Sequence, residues 1–156
     1  MRIPGRLRFS WENDDTLRID RDAGTQTRLL YFGAPPAATP GAELTWQGRS
    51  VAQWQTASGR GTRFADTNLS EPGGFMKVVT TQMRPGYLRK NGVPYGSNAV
   101  MTEYFEIHQA PSSERYLVVS VVIEDPQHLS QPYVTSTNFR KLPDASGWSP
   151  TPCTAK

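Results

Sequence analysis

The sequence is poor in the features that most directly reveal a function. It has one cysteine, Cys153, among 156 residues, which rules out an intrachain disulfide and puts the lone thiol in a polar tail, an incidental rather than a catalytic position. No run approaches the roughly 18 apolar residues of a membrane helix, so no membrane span is expected. The opening Met1-Arg2-Ile3-Pro4-Gly5-Arg6 has no apolar stretch behind its charges, and no signal peptide is read in it. There is no G-x-S-x-G elbow for a nucleophilic serine. Gly59-Arg60-Gly61 and Pro72-Gly73-Gly74 lack the Lys-Ser/Thr of a phosphate loop and read as turns. Asn68-Leu69-Ser70 has the glycosylation pattern, which matters only in a eukaryotic secretory host.

Helical periodicity is equally scarce, and 13 prolines interrupt every stretch that could carry a helix. Period-2 and β-branched runs recur instead, bounded by turn residues. They predict strands at about Leu7–Trp11, Asp15–Asp22, Gln26–Phe32, Ser50–Thr56, Gly74–Met83, Ala99–His108, Arg115–Glu124 and Pro132–Lys141. Turns at Asn13-Asp14 and Ala23-Gly24-Thr25 join the first three as hairpins. The fold class is therefore all-β, an eight-stranded, mostly antiparallel up-and-down barrel of lipocalin-like kind, with a β-sandwich as the alternative. Residues 1–142 form this single domain, and residues 143–156 are a Pro/Ser-rich tail packing through Trp148.

Charge narrows the partners. The 17 basic and 14 acidic residues leave a net charge of +3, and both signs are interspersed along the chain. Nucleic-acid binders gather basic residues on one face. Only Arg84, Arg89 and Lys90 cluster, so nucleic acid is not expected as a partner.

Up-and-down order sorts the connections. Gly33–Arg49, Arg84–Asn98 and Asp125–Gln131 should meet at one end, and the Ala23–Thr25 turn, Ala57–Gly73 and Gln109–Glu114 at the other. The first end collects Trp46, Arg84, Tyr87, Tyr95, His128 and Tyr133, and binding residues concentrate on loops carried by a rigid scaffold. The run Arg84-Pro85-Gly86-Tyr87-Leu88-Arg89-Lys90-Asn91-Gly92-Val93-Pro94-Tyr95 could act as a lid meeting an anionic or aromatic ligand, or could be a long hairpin loop whose tyrosines pack on the rim.

One buried polar residue is expected inside. In Ala99–His108 the more apolar face carries Met101, Glu103, Phe105 and Ile107, which takes Glu103 inward. A buried carboxylate is costly unless paired or protonated. If residue 108 pairs near 115 and 124 near 132, Glu103 lies opposite Ser120, Ser120 opposite Ser136, and Asn138 is two residues further on. Such a row would be a polar stripe in an apolar wall, the usual make-up of a ligand pocket. The other reading is a structural Glu103, held by Thr and Arg side chains or facing solvent. A one-residue slip decides between faces.

Metal and cofactor are not expected. Glu106-x-His108 puts a carboxylate and an imidazole on one strand face, but His128 belongs to the opposite end of the barrel, roughly 25 Å away at ~3.4 Å per residue. The two histidines cannot share a metal. Two functions remain, a binding barrel for a small, partly apolar or aromatic molecule, and a cofactor-free lyase, isomerase or hydrolase with Glu103 as general acid or base. A third possibility is an interaction protein whose interior is simply filled.

The stretches Asp22-Ala23-Gly24-Thr25-Gln26-Thr27-Arg28, Arg84–Tyr95, Thr102-Glu103-Tyr104-Phe105, Ile123-Glu124-Asp125-Pro126 and Trp148-Ser149-Pro150-Thr151-Pro152-Cys153 resemble uncharacterised exported proteins of environmental Gram-negative bacteria. Those motifs carry no attached activity. The resemblance implies a leader peptide in the full-length form and a periplasmic or secreted location.

Overall fold

The computed structural model describes residues 5–36, 43–56, 74–89 and 92–152. Ten strands are formed: β1 (Leu7–Asn13), β2 (Thr16–Arg21), β3 (Gln26–Phe32), β4 (Arg49–Thr56), β5 (Gly74–Thr81), β6 (Gly86–Tyr87), β7 (Pro94–Tyr95), β8 (Val100–Gln109), β9 (Arg115–Glu124) and β10 (Tyr133–Arg140). Eight of them make one sheet in the order β1-β2-β3-β4-β5-β8-β9-β10, and β6 and β7 form a separate small hairpin. All eight expected strands are present. The alternation that marked them reflects a sheet with one deeply buried face.

The sheet is curled into a half-barrel and is mixed rather than wholly antiparallel. β3 and β4 run parallel, with Leu30 opposite Ser50 and Phe32 opposite Ala52. A parallel pair needs a crossover of a dozen or more residues, and the stretch between Phe32 and Arg49 is long enough. This corrects the expected layout. The chain leaves β3 at the lower end and climbs to the rim, where the Arg84 amide donates to the Thr45 carbonyl at 2.8 Å. The Ala23–Thr25 turn therefore lies at the rim end, not opposite it, and the Asn13–Asp15 turn at the lower end. From β4 onward every strand keeps its expected direction. No ladder joins β1 to β10 among the described residues, so the sheet has two edges instead of closing as an up-and-down barrel.

The concave face holds the core. Leu17, Ile19, Leu30, Ala52, Met76, Val78, Phe105 and Val119 form the main apolar cluster. A second cluster of Met83, Ala99 and Ile123, joined by Leu88, Tyr95, Met101, Leu129 and Tyr133, caps the rim end. Val121 packs against both. Burying an aliphatic side chain of this size contributes about 1.5–3 kcal/mol, so these clusters are the main source of stability.

Residues 141–152 cross to the opposite edge of the sheet. Trp148 lies under the Arg8 guanidinium, 4.3 Å from its ring centre, and Thr151 bridges Ala23. The Gly24 amide donates to the Thr151 carbonyl at 2.7 Å, and the Thr151 amide to that of Asp22 at 3.0 Å. The Asp22 carboxylate accepts the Arg6 and Ala23 amides, each at 2.7 Å. Its burial opposes ionisation, but those two amides and Arg6 together hold the carboxyl below its ordinary range. Trp148 thus supplies a packing contact of the segment after β10, against Arg8.

Candidate functional site

Glu103 points inward, as its strand pattern indicated, and is 6% exposed. Its neighbours differ from those expected. β8 pairs with β9 so that Glu103 faces Val121, and Ser120 faces Tyr104. The cause is one residue in the connection. β8 continues to Gln109, which pairs with Arg115, and the turn closes through Ser113 in the left-handed region at φ 66°. That slip puts Ser120 on the outer face. The expected pairing of Ser120 with Ser136 is found, with the two hydroxyls 3.4 Å apart, and Asn138 shares their outer face. The interior row Glu103–Ser120–Ser136–Asn138 therefore does not form.

Glu103 is gripped by an arginine, Arg28, in agreement with the second of the two readings. One guanidinium nitrogen, Nη1, donates to Oε1 at 3.0 Å, and Nη2 donates to Oε2. Three strand steps separate β3 from β8, about 14 Å in a flat sheet at ~4.8 Å per strand, so only long side chains meeting over a concave floor can touch. The floor between them is small and hydroxylated. Arg28 Nη2 also donates to Thr80 Oγ1 at 2.7 Å and to Ser50 Oγ at 3.0 Å, and those two hydroxyls lie 2.9 Å apart. A bidentate, hydroxyl-supported pair satisfies a buried charge. It lies between the two apolar clusters.

The rim gathers most of the other candidates. Trp46, 61% exposed, carries Arg84 with the guanidinium 5.1 Å from its ring centre. Gly86 opposes Tyr95 and Tyr87 opposes Pro94 in the β6–β7 hairpin, which lies within the segment read as a lid or a long hairpin loop. Gly86 is required there by close approach, since a Cβ at this position would lie 3.0 Å from both Trp46 Cζ3 and the Tyr95 hydroxyl. Tyr87 is 71% exposed, whereas burial of Tyr95 raises its phenol above the ordinary value. Across the rim, Arg89 donates from Nε to the Tyr133 hydroxyl at 2.9 Å and lies 5.2 Å from that ring's centre.

A buried carboxylate organises the third side. Asp125 is 2% exposed and accepts the Gly96 amide at 2.6 Å, the Gln127 amide at 3.1 Å and His128 Nδ1–H at 2.9 Å. The Gly96 amide, then that of Gln127 and the His128 imidazole, hold this carboxyl below its ordinary range against its own burial. The bond orients the imidazole and leaves Nε2 for another partner. Gly96 again marks a close approach, because a Cβ there would stand 2.8 Å from His128 Cε1. Asp125 was not singled out in the sequence, although Asp-Pro-x-His after a strand is a recognisable side-chain-capped turn.

The lower end holds aromatic rings that sequence reasoning also passed over. Trp11, Phe32 and Trp54 share the concave face, with ring centres 5.3 Å and 5.5 Å apart. Trp11 is 53% and Trp54 65% exposed. A groove of about 250 Å³ between Ser113–Arg115 and Lys141–Pro143 also lies there. Its carboxylate, Glu114, is already taken by Arg140, Tyr116 and Ser112.

Among the described residues no three His, Cys, Asp or Glu side chains come together as a metal site. His108 pairs with Glu106 at 3.2 Å near the lower end, away from His128 at the rim. No helix among them is long and apolar enough to cross a membrane. Asn68, the Gly59–Gly61 turn, Lys90 and Cys153 lie outside the described residues. Comparison of the chain with protein-family models, with curated proteins and with solved structures finds no match.

Proposed function

We propose that this half-barrel binds a small, partly apolar, ring-bearing molecule at its rim. The observation that carries the reading is the convergence there of Trp46, Tyr87, Tyr95, Tyr133, two arginines and an oriented imidazole, drawn from four separate segments of the chain. Exposed rings beside a few polar groups are how ligand sites are built. The second apolar cluster occupies the rim end of the interior, which favours a ligand lying on the rim over one deep inside. Glu103 has both oxygens engaged by Arg28, so its contacts support a structural role and give no support to acid–base chemistry. A periplasmic or secreted location belongs to the same proposal and rests on the family resemblance alone.

The test is a thermal-shift screen with small aromatic and terpenoid-like compounds, followed by titration of hits. Trp46→Ala and Tyr87→Ala should each weaken binding by about three- to tenfold, while Ser120→Ala leaves it unchanged. If binding ignores the rim changes but is lost in Trp11→Ala or Trp54→Ala, the site belongs to the lower end and this reading fails.

A further inference from the structure

Resting on that rim reading, we infer that the ligand carries an anionic group, such as a carboxylate, sulfonate or phosphate, read by Arg84 and Arg89. Arg6, Arg18, Arg28 and Arg140 each reach a carboxylate. The rim arginines do not. Among the described residues no carboxylate forms an ion pair with Arg84 or Arg89, which are held against Trp46 and Tyr133 instead.

The sequence around them explains why. No Asp or Glu occurs between Glu71 and Glu103, a stretch that contains Lys77, Arg84, Arg89 and Lys90. The buried acid at the rim, Asp125, is consumed by Gly96, Gln127 and His128. Glu124, opposite Val100 at the end of β9, is exposed, and so is Glu43 ahead of Thr45; neither makes an ion pair with these arginines. A guanidinium held against a ring keeps N–H groups for another partner, and Arg89 spends only Nε on Tyr133. A planar donor fork held in place without a carboxylate suits an oxyanion bidentately. The adjoining rings suit an aromatic body.

Two dyes that differ by one sulfonate separate the possibilities, 1-anilinonaphthalene-8-sulfonate and the neutral N-phenyl-1-naphthylamine. Fluorescence titration should show the sulfonate binding about tenfold tighter or more. Added salt should narrow that gap. Arg84→Gln and Arg89→Gln should each reduce it, with circular dichroism confirming the fold and Arg→Lys variants restoring part of it. If both dyes bind equally and lose affinity in Trp46→Ala, the anionic inference is overturned while the rim reading stands. If neither dye responds to any rim substitution, the rim reading and the inference fall together.

Discussion

At the rim, Trp46 and Tyr133 each carry an arginine, and the buried Asp125 holds the Arg84–Asn98 segment through the Gly96 amide and its own turn through that of Gln127. At the lower end, Trp11, Phe32 and Trp54 lean on one another, and Arg140 turns to Glu114. The residue types are nearly the same. Their partners differ, and with them the chemistry each end can offer. Rings paired with cations present a polarised, donor-rich surface, whereas rings stacked on rings present only apolar area. The Arg28–Glu103 pair separates the two regimes and anchors β3 to β8 across the curl.

Removing one member of that central pair should have the largest effect. Glu103→Ala or Arg28→Ala strands a buried charge, a change that typically costs about 3–5 kcal/mol. Replacing both, as in Arg28→Met with Glu103→Met, should recover most of the loss. Chemical denaturation of the three variants measures this, and a double variant no better than the worse single would show that the pair is not acting as a unit.

Acid should loosen the rim next. The folded Asp125 carboxyl is held below its ordinary range, so the unfolded chain binds more protons on acidification. Its contribution is fully present above about pH 4 and is lost as pH falls through the lower folded value. Asp22 shifts in the same direction and adds to the loss at its own tether. Asp125→Asn should lower the thermal midpoint at pH 7, and its curve should approach that of the wild type as pH falls below about 4. Curves that stay parallel would show that Asp125 does not stabilise through its charge.

The smallest effect belongs to the outer face. Ser120→Ala with Ser136→Ala should change stability by no more than about 0.5 kcal/mol, because both hydroxyls stand on the outer face. A loss of several times that would mean the register places them inside after all.

Strand positions were legible because alternation is a local signal, and Glu103 was legible as inward because Met101, Phe105 and Ile107 share its face. An arginine partner was one of the two readings, but which arginine was not legible, because Arg28 is 75 residues away in the chain and nothing in local pattern links the two. The Ser120 row failed on a single residue of loop length, to which period-2 geometry is maximally sensitive. The parallel β3–β4 pair could have been suspected from the length of the connection after Phe32, since a hairpin needs only about two to five residues. The rim nevertheless came out largely as expected. That crossover returns the chain to the same end at which a simple loop would have left it.

The bridge between Ala23 and Thr151 bears on how the chain comes to be folded during synthesis. The β2–β3 turn is synthesised well before Thr151, yet two of its backbone partners are the amide and carbonyl of that distant residue. Contacts between such distant positions form late and slow the overall reaction. The β1–β3 edge therefore waits, unlatched, until residue 151 has left the ribosome.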